Sequence, residues 1–227
     1  MRNGRVHIRF FSKWKKIIQW KGYPNLKIKP IVFQHITPYI PKMSVEGLHR
    51  LIDDENLSIK VVKQRITKHG DFRKSNNQKC IITVNKSNNK YRFLMTLIHE
   101  IAHYYTYKEN KFAKPHGIKW KTMFKNISKP FLNNSIFPEN LLNSLQEHMK
   151  NPKSSFSYDS KVSKELDKYD DENDDLVYLD ELPINSVFTY RGKRFVKIEK
   201  KRKRYLCECV PDKRKYLFVS HARVLNK

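Results

Sequence analysis

The chain has 227 residues, enough for one domain of ordinary size and a small second one, and its 39% hydrophobic and 12% aromatic content can supply a packed core. The charge is the outlier: 47 Lys and Arg stand against 22 Asp and Glu, a net +25 that repels itself and attracts polyanions, so nucleic acid is a natural partner. Three cysteines are too few for a disulfide framework, and no apolar run reaches the roughly 18 residues of a membrane span or forms a secretory signal core; a soluble cytoplasmic protein is expected.

Residues 1–40 read as a basic N-terminal extension. The first 30 residues hold nine Lys or Arg and no acid, and Ile8, Phe11, Trp14, Ile17 and Ile18 fall on one face of a hypothetical helix. Such an arm touches an anionic surface or packs its aromatics on the main domain. A short helix follows, carrying Val45, Leu48, Leu51 and Ile52, with Ser44 as its expected N-cap. Residues 57–66 and 80–85 are rich in β-branched side chains and read as strands, joined by the polar, basic segment Thr67 to Lys79. An exposed strand beside a catalytic helix can pair with substrate backbone. Cys80 reads as a buried strand residue.

The stretch Thr96 to His116 carries chemistry. Phe93, Leu94, Leu97, Ile98, Ile101, Ala102 and Tyr105 recur at three- and four-residue steps, the stripe of a helix packed on a core. On that helix His99 and His103 lie one turn apart on a single face, where two imidazoles can hold one metal ion. Glu100 leaves the helix about 100° round from His99, so its carboxylate can act as a base towards a metal-activated water without being a ligand. Chance is a weak rival, since roughly 0.02 matches to H-E-x-x-H are expected at this composition. A catalytic zinc site needs a third protein ligand and an open fourth position. Thr106 and Glu109 stand where a metzincin would require Gly and His, so that continuation is absent. His116 is the better third candidate: the helix should end near residues 108–110, and Pro115 and Gly117 open a second amphipathic run through Ile118, Trp120, Met123, Phe124 and Ile127. Glu109, six residues past His103 and nearly half a turn away in angle, is the weaker alternative.

These residues resemble the SprT-like metallopeptidases, relatives of the eukaryotic protease Spartan. The resemblance rests on His99-Glu100-Ile101-Ala102-His103, then Pro115-His116-Gly117 and Trp120, and it extends upstream to Arg65-Ile66-Thr67 and to the strand Ile81-Ile82-Thr83-Val84-Asn85. It implies an α+β, zincin-like metallopeptidase domain over residues 41–150, with an active-site helix packed on a small sheet. It also implies one Zn²⁺ held by His99, His103 and His116, Glu100 as catalytic base, and protein substrates bound or crosslinked to DNA.

Downstream, Pro138 opens a helix with Leu141, Leu142, Leu145 and Met149 on its apolar side. Residues 151–183 read as a linker, first rich in Ser and Lys and then acidic. Between Glu165 and Glu181 there are nine acids and one base, leaving 46 bases against 13 acids elsewhere. Residues 184–227 alternate as strands with turns at Arg191-Gly192 and Pro211-Asp212, a small antiparallel β meander or barrel. Many SprT-like proteins carry a zinc ribbon here with two C-x-x-C pairs. This chain has only Cys207 and Cys209, with His221 leaving the set one ligand short, so a structural zinc is not expected. The run Lys200, Lys201, Arg202, Lys203 and Arg204 is the most concentrated candidate for phosphate contact. The alternative to a peptidase is a non-catalytic nucleic-acid-binding protein with a structural or vestigial metal site; hydrolysis of a non-peptide substrate also fits H-E-x-x-H, which fixes the activation of water and not its target.

Overall fold

A computed structural model describes residues 34–52, 54–74, 79–171 and 175–226; the amphipathic reading of the N-terminal arm lies outside them. The chain is α+β and divides into two compact units, residues 1–142 and 143–227.

In the first unit, helix α1 (Val45–Ile52) buries Leu48, Leu51 and Ile52, as the spacing predicts. Ser44 does not cap it: its hydroxyl donates back to the Pro41 carbonyl at 2.6 Å. Three strands follow, β1 (Leu57–Val62), β2 (Gly70–Lys74) and β3 (Cys80–Asn85), in the order β1-β3-β2. β1 runs parallel to β3 and β2 runs antiparallel to it. Strand β2 corrects the expectation of a plain connector over residues 67–79. Its residues Gly-Asp-Phe-Arg-Lys show no apolar alternation, because it is an edge strand with one inward side chain, Phe72.

Helix α2 (Lys90–Glu109) packs against both β2 and β3. Asn89 caps it by accepting from the Arg92 N–H at 2.9 Å, and Asn110 ends it. Phe93, Leu94, Leu97, Ile98 and Ile101 are fully buried, each contributing about 1.5–3 kcal/mol of hydrophobic stabilisation. Tyr105 donates to the Leu51 carbonyl at 2.6 Å and Lys108 pairs with Asp54 at 2.5 Å, tying α2 to the end of α1. Helix α3 (Ile118–Ser128) buries Trp120, Met123, Phe124 and Ile127. The division between the units falls within α4 (Glu139–Lys150).

The second unit departs from the sequence reading over residues 151–183, which are not a bare linker. Helix α5 (Ser160–Asp167) buries Val162 and Leu166, and β4 (Leu176–Tyr178) joins the sheet. Strands β5 (Val187–Tyr190), β6 (Lys193–Lys201), β7 (Arg204–Cys209), β8 (Lys215–Val219) and β9 (Arg223–Leu225) complete six strands, all antiparallel, in the order β4-β9-β5-β6-β7-β8. β5 to β8 form the expected meander, and β9 returns beside β5. The core is Leu179, Leu182, Phe188, Phe195, Tyr205, Cys207, Cys209 and Val224. Lys197 is buried in it, donating to the carbonyls of Leu179 at 2.7 Å and Leu182 at 2.5 Å with its ammonium 3.8 Å from the Tyr205 ring centroid. Two backbone acceptors and a π-face replace the water this cation loses.

His148 is also buried, packed on Phe156 with Nδ1 donating to the Asp159 carboxylate at 2.9 Å. Burial holds its pKa below the usual 6.5, although Asp159 opposes the shift. Between that lowered value and 6.5 the unfolded chain binds more protons than the folded one, so stability falls as pH drops through this window. In chelator, the urea midpoint should decline from pH 7.5 to 5.5, and His148→Gln should make that decline shallower; an unchanged slope would remove His148 from the acid response.

Candidate metal centre

α2 places His99 and His103 on one face, and the turn after it delivers His116. Gly117 N–H donates to the Lys114 carbonyl at 3.0 Å across Pro115 and His116. Proline at the second position and a positive φ of 57° at the third give the signature of a type II turn. A left-handed backbone is uncommon for any residue but glycine, though histidine is among the side chains that tolerate it best. That conformation aims the His116 ring at the other two.

The three Nε2 atoms converge: His99 to His116 is 3.1 Å, His103 to His99 is 3.2 Å and His103 to His116 is 3.0 Å. Three ring nitrogens facing one point cannot satisfy one another by hydrogen bonds. A neutral imidazole has one donor and one acceptor nitrogen, and if each Nε2 is the acceptor the lone pairs repel. A cation at the centre resolves this, and tetrahedral coordination at about 2.0–2.1 Å sets nitrogens about 3.3–3.4 Å apart, close to the spacing seen. These histidines are positioned to bind a metal ion, and they form the one such group among the described residues. Glu109, the weaker third candidate, is not part of it.

Trp120 forms the wall behind them. Its ring centroid lies 4.6 Å from His99, 5.2 Å from His103 and 4.7 Å from His116, and it stacks on Phe124 at 4.9 Å. Burial lowers the pKa of His103 to about 4, with His116 adding to the shift, and burial also lowers that of His116. Both are therefore neutral at pH 7, the state a metal requires of imidazole.

Glu100 lies between α2 and the start of β2, only 7% exposed. Burial, helped by the Asp71 carboxylate, raises its pKa to about 8; Arg65, Lys68 and the Phe72 backbone N–H act in the opposite direction. The β1–β2 loop that sets this environment is held by residues from the upstream part of the resemblance. Arg65 donates to the Asn85 side chain at 2.7 Å and to the Thr83 hydroxyl at 3.0 Å, while the Asn85 amide donates to the Arg65 and Lys68 carbonyls at 3.1 and 2.8 Å.

Residues 45–150 match the model of the SprT-like family. Over these residues the chain is similar to the SprT-like family. No curated protein and no solved structure matches it. The matched segment contains all three histidines, Glu100 and the Arg65–Asn85 clamp.

Of the tyrosines near the motif, Tyr104 is buried and Tyr105 is committed to Leu51, which leaves Tyr107 beside the centre. The basic run 200–204 forms the exposed β6–β7 hairpin end, where Lys201 pairs with Arg204 in register and Lys201 also meets Glu199 at 2.8 Å. Cys207 and Cys209 are buried in the sheet core, and His221 is engaged with the Ser157 carbonyl at 2.9 Å.

Gly70 carries no signal in the sequence, since an isolated glycine in a polar stretch reads as a turn. A β-carbon there would stand 2.7 Å from Glu100 Oε1 and 2.8 Å from Thr96 Cγ2. Gly70→Ala should lower stability by about 1–3 kcal/mol in urea denaturation, as overpacking does; a decrease below about 0.3 kcal/mol would show that the packing of β2 on α2 gives way freely.

Proposed function

We propose that this chain is a zinc-dependent metallopeptidase acting on DNA-associated proteins. The observation that carries the reading is the convergence of three imidazole nitrogens within 3.2 Å on a buried helix that also bears Glu100 between two of them. The helix packed beneath a small sheet with an antiparallel edge strand fits a zincin-like domain.

His99, His103 and His116 would hold the ion, which supplies Lewis acidity, making water a nucleophile near neutral pH and polarising a carbonyl. Trp120 fixes the ring planes and keeps solvent from their rear. Glu100 takes the proton from the attacking water and hands it to the departing amine. Its buried setting keeps the carboxyl basic enough for that role, and a cation held by the neutral histidines would favour its ionised form. The Arg65–Asn85 clamp holds the β1–β2 loop and so fixes the start of β2 against Glu100.

Glu100→Gln should retain about one equivalent of zinc and slow cleavage of an unfolded protein substrate by at least about 100-fold, the scale of general acid–base catalysis. His116→Ala should weaken zinc binding by more than the roughly 100-fold that removing an outer-shell partner costs. Wild-type turnover by Glu100→Gln with zinc bound would overturn the assignment.

The DNA-associated half is supported by the net charge of +25 and by the exposed cations of residues 200–204. It also frames the second reading, a nucleic-acid-binding protein whose metal is structural, which the buried carboxylate beside the metal ligands disfavours. Affinity for a DNA oligonucleotide should fall steeply as salt rises, and replacing Lys200 to Arg204 with Gln should flatten the log–log slope by about one for each phosphate no longer neutralised. Absence of binding at low salt would remove this half while leaving the peptidase intact.

A further inference from the structure

An open cleft of about 460 Å³ begins at His103 and runs along the last turns of α2. One wall is Phe72 to Lys74 of β2; the other is Tyr107 and the loop from Lys111 to Pro115, with Trp120 at the floor. Its size is within the roughly 300–1,000 Å³ range of ligand sites. Water activation at the metal centre uses only the His103 end of it.

Its charge is one-sided. Arg73, Lys74, Lys111 and Lys114 line the cleft, and no lining residue is acidic. Arg73 pairs with Asp71, and the end of α2 contributes about half a negative charge. Against four cations these leave a clear positive excess. The aromatic wall is ordered: Phe72 and Tyr107 lie 5.9 Å apart, and the Lys74 ammonium is 5.9 Å from the Tyr107 ring centroid. The lysines themselves are exposed, so their pull on an anion is of the kind that salt screens.

We propose that this cleft is a substrate subsite selecting acidic side chains, Asp or Glu, close to the bond that is cut. The inference rests on the peptidase reading and specifies its substrate class. Because the cleft opens at a metal ligand and an extended chain advances about 3.3 Å per residue, its occupant lies within a few residues of the reacting carbonyl. A nucleic acid strand in the same place would compete with the substrate itself, so a peptide side chain is the occupant the position favours. Lys74 and Lys111, on opposite walls, meet the carboxylate, while Phe72 and Tyr107 pack on its methylene groups.

The test uses the full-length, zinc-loaded Glu100→Gln protein and fluorescein-labelled peptides identical except for three consecutive Glu, Gln or Lys residues. The Glu peptide should bind about tenfold more tightly than the Gln peptide and more tightly still than the Lys peptide. The preference should shrink as salt rises. Lys74→Gln/Lys111→Gln/Lys114→Gln should bring the three peptides within about twofold of one another. Equal binding, or a preference that survives this triple substitution, overturns the proposal. So does a triple variant impaired only in single-stranded DNA affinity, which would make the cleft a nucleic-acid contact. Mapping wild-type cleavage sites in an unfolded protein needs no variant, and Asp and Glu should be enriched on one side of the cut. Cleavage without that enrichment sinks the subsite and leaves the peptidase standing; acidic-peptide binding without any cleavage by wild type sinks the peptidase and leaves the cleft.

Discussion

Three ring nitrogens held 3.0–3.2 Å apart form the constraint on which the first unit depends. Such a cluster is unfavourable without a cation, because partly buried imidazoles this close repel one another when charged together and, when neutral, present their lone pairs to one another. Holding them there requires a rigid helix, a turn with one left-handed residue and an aromatic wall. Each is visible as a local cost or a buried side chain: the positive φ of His116, the enclosed Trp120 ring, the apolar underside of α2.

The same helix joins the centre to the sheet. Glu100 faces the start of β2, whose glycine leaves room for the carboxyl, and the following residues of β2 become one wall of the basic cleft. The Arg65–Asn85 clamp sets where that strand begins. A short edge strand therefore links the setting of the carboxylate to the wall of the cleft. Because β2 contributes few buried apolar side chains of its own, its position depends on hydrogen bonds to β3 and on the packing of Phe72 against Tyr104 and Tyr107.

The second unit is built round an aromatic core. Cys207 and Cys209 share a face of β7 but point into an aromatic core, and the Lys197 ammonium there is satisfied by two carbonyls and a tyrosine ring. The bases of the β6–β7 hairpin remain in solvent. Among the described residues no helix is long and apolar enough to cross a membrane.

The sequence by itself determined the helix of residues 90–109, the pairing of His99 with His103, the candidacy of His116 and most strands of the meander. In each case the signal was local, a period of 3.6 or 2 or a Pro-His-Gly turn, and local signals survive in one dimension. Only the tertiary structure decided that residues 70–74 form a strand, that residues 151–183 contribute a helix and a strand, and that Arg65 and Asn85 fasten a loop. It also brought His116, the candidate the sequence preferred to Glu109, up against the other two histidines. These outcomes depend on partners elsewhere in the chain, β3 for the strand over residues 70–74, β9 for β4 and Asn85 for the loop of Arg65, and an edge strand or a buried lysine is stabilised by what it meets and not by its own pattern.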